Sequence, residues 1–126
     1  MTLIKVKTTE LIGPALDWAV AKAEGLNLPP FPGRGVKQCL IDVSPASWTV
    51  FGPSTDWSQG GPLIDKMGGF ELKVWLESKP ETKCEAHIHN YDGNWIVFGP
   101  TPLVAAMRCL VAAKLGDTVQ VPKELR

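Results

Sequence analysis

"CEAHIHNYDGNWIVFGPTPLVAAMRCLVAAKLGD", Cys84 to Asp117, carries the fold in one run. "CEAHIH" alternates apolar and polar residues, "NYDGN" places Asp92-Gly93 at the centre of a hairpin turn, and "WIVF" returns as the second strand. Gly99-Pro100 then stops the ladder. Thr101 is a good N-cap and Pro102 suits the first helical position, where a missing N–H is no loss. Leu103, Met107, Leu110 and Lys114 share one side of the helix that follows, Ala106 and Ala113 lie beside them, and Gly116 suits its end.

Working outward, "FELKVWL" (Phe70 to Leu76) alternates as a half-buried strand, with Trp75 on its polar face beside Glu71 and Lys73. "KQCLIDV", the turn "SPAS" and "WTVF" read as a second hairpin between Lys37 and Phe51. "GPALDWAVAKAEG" reads as a helix, with Pro14 at its start, Asp17 in its early turns and Gly25 at its end. Ala15, Ala19 and Ala23 make a small stripe that predicts close packing on Ala106 or Ala113 of the C-terminal helix. "LIKV" is a short strand and "TVQVP" an extended tail. "NLPPFPGRG" (Asn27 to Gly35) and "ESKPETK" read as surface loop and turn. The long polar stretch Gly52–Gly69 carries at most a helical turn near Ser54 or Leu63. The expected architecture is α+β: an antiparallel sheet of about four or five strands, with an N-terminal and a C-terminal helix packed on one face.

The chain has 126 residues, which makes one domain, 1–126. Thirteen basic residues balance thirteen acidic ones, so the basic excess of a protein tracking a nucleic-acid polymer is missing. No apolar stretch reaches the roughly 20 residues of a membrane span, and "MTLIKVKTTE" lacks the h-region of a secretory signal. Cys39, Cys84 and Cys109 are odd in number and unpaired by spacing, as expected of reduced thiols in a cytoplasm.

"SWTVFGPST" (Ser47 to Thr55) and "NWIVFGPTP" (Asn94 to Pro102) echo one another, Trp48 and Trp95 lying 47 positions apart. Their flanks differ, which speaks against duplication. Either the echo is turn chemistry alone, or two strand ends bring Ser54-Thr55 and Thr101 together. On the second reading Asp56 accepts hydrogen bonds from a ligand, Trp57 stacks a ring, and Gly60 and Gly61 let backbone approach it. The first amides of the C-terminal helix hold an anion, and Arg108, leaning toward its helix start, supplies charge. The structural alternatives are that Ser54 or Asp56 caps a helical turn while Trp57 plugs the sheet edge, and that Arg108 is a surface residue paired with Asp17 or Asp65.

His87 and His89 share one strand face at metal-ligand spacing, with Cys84 on the other face; a lone H-x-H is expected to be solvated, with no metal. Cys109 in mid-helix is expected to be an inert thiol. No nucleophile elbow, zinc-protease, Walker or Rossmann pattern is present, so no catalytic residue and no cofactor are assigned.

"ALDWAVAKAEG", "PSTDWSQGGPLID" and "GPTPLVAAMRCLVAAKLGD" are similar to three blocks of the NinX-like family of small phage and prophage proteins. The resemblance covers nearly the whole chain, Gly68 to Asn94 matching no block. It implies a protein of temperate-phage accessory regions and names no activity. The expected function is a non-catalytic binding protein that sequesters a small anionic ring-containing ligand, such as a nucleotide signal of host defence. The alternatives are a module docking a host or phage protein through Trp75 and its neighbours, and a metal-dependent hydrolase using His87 and His89. An apolar spot at Trp75 is also one that a second copy of the chain can cover.

Overall fold

The computed structural model describes residues 2–29, 37–44, 47–76 and 79–126. Most of the expected 27–35 loop, the centre of the "SPAS" turn and the start of "ESKPETK" lie outside them. The elements run β1 (Leu3–Lys7), α1 (Gly13–Ala23), β2 (Leu40–Ser44), β3 (Ser47–Val50), α2 (Trp57–Asp65), β4 (Phe70–Val74), β5 (Cys84–Asn90), β6 (Gly93–Gly99), α3 (Pro102–Leu115) and β7 (Thr118–Pro122). A 3₁₀ turn, Thr8–Glu10, links β1 to α1.

α3 is the axis of the molecule. Thr101 caps it, its Oγ1 accepting from the Val104 N–H at 3.2 Å, and Pro102 starts it. Every residue from Leu103 to Ala112 is buried. A helix apolar almost all round belongs inside a core. On one side, Ala105, Cys109 and Ala112 pack on Cys84, Ala86, Ile88 and Val97 of the sheet. On the other, Met107, Leu110 and Val111 join the larger core with Leu11, Leu16, Val20 and Val121. Ala15, Ala19 and Ala106 lie in that larger core and Ala113 edges the smaller one, so the alanine stripe of α1 meets the Ala106 side of α3.

The strands differ from the single sheet expected. Among the described residues they form three antiparallel groups: β4-β5-β6, the hairpin β2–β3, and a ribbon of β1 with β7. α3 covers the three-stranded sheet, while α1 packs on α3, and both helices touch β7. The physical reason is that alternation marks a residue run as a strand without naming its partner. β1 finds its partner at the far end of the chain, Leu3 facing Pro122 and Lys7 facing Thr118.

α2 is a nine-residue helix where the sequence promised one turn. Gly60, Gly61 and Pro62 within it are poor helix formers. Tertiary contact outweighs them: a Cβ on Gly60 would stand 2.5 Å from the Pro53 carbonyl oxygen and 2.7 Å from Leu103. Glu24, just beyond α1, ties three helices at their other end. Lys66 Nζ reaches its Oε1 at 3.0 Å, and Lys114 Nζ hydrogen-bonds its Oε2.

Candidate functional site

Both echoing segments end a strand and lead into a helix. Phe98-Gly99-Pro100 runs directly into the Thr101 cap of α3, and Gly99 lets this happen tightly, since a Cβ there would stand 2.7 Å from the Ala105 nitrogen. Phe51-Gly52-Pro53 turns through Ser54 and Thr55 to Asp56, which caps α2. Asp56 Oδ1 accepts from the Ser58 N–H at 2.9 Å and from the Ser58 hydroxyl at 2.7 Å, and its Oδ2 accepts from Gln59 Nε2 at 3.0 Å. These bonds hold the Asp56 carboxyl below its usual range. Gln59 Oε1 in turn accepts from the Gly52 N–H at 3.0 Å, closing the turn on itself. The carboxylate is therefore committed to capping.

Because Gly60 lets α2 press on Pro53 and Leu103, the two helix starts flank a common cleft. Ile12, Ser54, Thr55, Trp57, Thr101 and Leu103 are among its lining residues. Trp57 and Ile12, each 55% exposed, stand at its mouth. In the first turn of α3, Val104 N–H is bonded to the Thr101 hydroxyl and Ala105 N–H to the Thr101 carbonyl. The Leu103 N–H has no protein partner among the described residues. The walls are largely apolar, and no described Lys or Arg lines them.

Behind the cleft lies a carboxylate that the sequence reading passed over as a helix-dipole residue. Asp17 is 5% exposed, and its Oδ1 accepts from the Ser54 N–H at 2.9 Å, pinning the turn to α1. Burial pushes its carboxyl up to about 6, against the opposing pull of the Ser54 hydroxyl and N–H. The hydroxyl stands close enough to influence Asp17 but outside hydrogen-bond geometry. It is the one buried side-chain polar atom without a hydrogen bond among the described residues. The signal in the sequence was Asp17 set between Leu16 and Trp18 on a helix whose only other charged residue, Lys22, lies in its last turn.

The structure thus brings Ser54, Thr55, Trp57 and Thr101 to one cleft and leaves the other expected residues elsewhere. Asp56 is spent on its cap. Gly60 faces Pro53 and Leu103, and a Cβ on Gly61 would meet nothing within 4 Å, so neither glycine is shaped by an approach to the cleft. Arg108 corrects two expectations. It is 8% exposed, not a surface residue, and it pairs with neither Asp17 nor Asp65. It does lean toward its helix start, but Nε donates to the Leu11 carbonyl at 2.7 Å and Nη1 to the Phe98 carbonyl at 3.0 Å. It stitches the α1 approach to β6 under a neighbouring groove lined by Ile96 and Phe98. Burial lowers its pKa.

His87 and His89 stack with ring centroids 6.0 Å apart on the outer sheet face. His87 Nε2 is hydrogen-bonded to Asn94 Oδ1, and its Nδ1 lies 4.0 Å from Glu71 Oε2. Among the described residues no three His, Cys, Asp or Glu side chains group to hold a metal. Trp75 is exposed on the same face and its Nε1 donates to Glu85 Oε2 at 3.2 Å. Cys39, Cys84 and Cys109 are all buried, and burial pushes the thiols of Cys39 and Cys109 up to about 12 and about 11.

These features define a small α+β protein, three antiparallel strand groups about a buried helix. Among its described residues, no helix is long and apolar enough to cross a membrane. The family described as Bacteriophage P22, NinX matches residues 7–114, and the chain belongs to that family. A search of curated proteins finds no match.

Proposed function

We propose that this phage-family protein is a non-catalytic binding protein that sequesters a small ring-bearing anion, a nucleotide signal of host defence being the concrete ligand class. The observation that carries the reading is the cleft between two helix starts, lined by the half-exposed Trp57 and by Leu103, whose N–H has no protein partner among the described residues. A ring stacks on the indole and is held by dispersion and by the apolar walls. One anionic group sits at the first turn of α3, where the free amide and the helix dipole favour it. The Thr55 hydroxyl donates to the Gly52 carbonyl at 3.5 Å and keeps its oxygen as an acceptor for a donor on the ring. Charge plays the smaller part, since no cation among the described residues lines the cleft.

The test is thermal denaturation with linear and cyclic nucleotides beside their uncharged nucleosides. A ligand at a hundredfold excess over Kd adds about 2.7 kcal/mol of stability. At least one nucleotide should raise Tm, its nucleoside less, and Trp57→Ala should abolish both shifts. The ligand should be recovered chemically intact after denaturation. A set of nucleotides that leaves Tm unmoved, or a shift that survives Trp57→Ala, overturns the reading.

A further inference from the structure

At the opposite end of α3, about 15 Å along its axis from the Trp57 cleft, lies a second cavity of about 240 Å³. Apolar side chains form part of its lining, beside a larger share of polar surface: Trp95 from the inner face of β6, Leu63 from α2, Met67 just past the end of α2, and Leu110 from α3. One rim carries Lys66 and Lys114, whose ammonium groups converge on Glu24. The other rim carries Asn90 and Asp92 of the β5–β6 turn.

The charge arrangement on the lysine rim is uneven. Two ammonium groups share a single carboxylate, so the trio carries one net positive charge. Glu24 is only 5% exposed at its side chain, whereas Lys66 and Lys114 are 68% and 50% exposed. Burial pushes the Glu24 carboxyl up, but the two lysines outweigh this and hold it below its usual range. The carboxylate is thus an anchor that fixes both ammonium groups at the rim with donors to spare, since each ammonium has three N–H bonds. The Asp92 side chain brings the opposite charge to the lining. The Asn90 Oδ1 accepts from the Asp92 N–H at 2.8 Å, which fixes the turn and leaves the exposed Asp92 carboxylate as an acceptor.

We propose that this cavity binds a flat aromatic acid of one ring, with its anionic group between Lys66 and Lys114, its ring against Trp95, and a hydrogen-bond donor directed to Asp92. The volume sets the ring count: it lies below the roughly 300 Å³ at which drug-sized ligand pockets begin. The two rims set the orientation, because reversing the ligand would bring its anion to Asp92. The site is separate from the Trp57 cleft and stands whether or not that cleft binds a nucleotide.

The probe is 4-aminobenzoate, which carries an anion and an amine at opposite ends of one ring, with its uncharged twin 4-aminobenzamide and the donorless benzoate. Binding is followed by NMR of the Met67 and Ala113 methyl groups and the Trp95 indole N–H. The acid should shift these signals, the amide should bind about tenfold or more weakly, and benzoate should fall between them. Lys66→Gln, a change at an exposed side chain, should weaken the acid by a similar factor, and Trp57→Ala should change nothing. Lys114→Gln repeats the test from the second cation. Absence of shifts with the acid at millimolar concentration overturns the proposal. So does equal binding of acid and amide, or a set of shifts centred on Thr101 and Leu103.

Discussion

Asp17→Asn should make the protein more stable near neutral pH and remove a pH dependence specific to one carboxylate. The ionised side chain sits almost out of water with a single sure hydrogen bond, from the Ser54 N–H. Its carboxyl stands at about 6, against 3.8 for an unburied aspartate. The folded state therefore holds this proton about two powers of ten more tightly than the unfolded chain does, equivalent to about 3 kcal/mol. The sign follows from linkage. Between about pH 4 and pH 6 the unfolded chain has released the proton and the folded protein retains it, so stability falls as pH rises through this window and levels off above it. Asparagine keeps an oxygen for the Ser54 N–H and has nothing to titrate.

Urea denaturation of both proteins from pH 4 to pH 8 measures the effect. The quantity to plot is the stability of the variant minus that of the wild type, which cancels opposite slopes from Glu24 and Asp56, whose carboxyls are held below the usual range. That difference should climb by about 3 kcal/mol across the window. A difference flat to within about 0.5 kcal/mol, or one that falls with pH, would refute the assignment of Asp17 as a buried charge held against its preference.

Arg108→Ala should lower stability by on the order of 3 kcal/mol or more, since it strands the Leu11 and Phe98 carbonyls that now accept from a buried guanidinium; chemical denaturation measures it, with Trp57→Ala expected to cost under about 1 kcal/mol. Gly60→Ala should destabilise by about 1–3 kcal/mol because its new methyl meets Pro53 and Leu103, while Gly61→Ala, one residue on and unobstructed, should be neutral or gain up to about 1 kcal/mol. The three buried thiols should resist Ellman's reagent at pH 8 in the native state and react together once urea unfolds the chain, a reading made by absorbance.

Local chemistry was legible wherever it acts alone. The Thr101–Pro102 start of α3 and the α1 boundaries need no distant partner and stand where their residue types put them; the β5–β6 turn is where it was expected but centred one residue earlier, on Tyr91-Asp92, because Asn90 pairs with Gly93. α2 was hidden because Gly60, Gly61 and Pro62 disfavour a helix locally; the close packing of Gly60, which no window of sequence displays, accompanies the helix that forms. The grouping of strands was hidden for the same reason, β1 reading identically whether it pairs with β2 or β7. At the cleft, one of the two readings of the shared Phe-Gly-Pro segments had strand ends bringing Ser54-Thr55 and Thr101 together, and these residues do line one cleft, while the helix start after the first segment was not foreseen. Arg108 was misjudged because a helical wheel shows which way a side chain leans and not which carbonyls wait for it. Asp17 was read only as a dipole residue or an Arg108 partner because the Ser54 turn that holds it lies 37 residues further along the chain.

The ribbon of β1 and β7 sets the order in which the protein can be finished during synthesis. Leu3–Lys7 leaves the ribosome before α1 and pairs with Thr118–Pro122, which leaves only after α3. Until then Val6 has no Val119 or Val121 beside it, and the larger core lacks a wall. The sheet and α3 can assemble while translation continues, but closure of the larger core waits for β7. A message cut short after α3 would yield a chain with that wall open to solvent, a substrate for proteolysis.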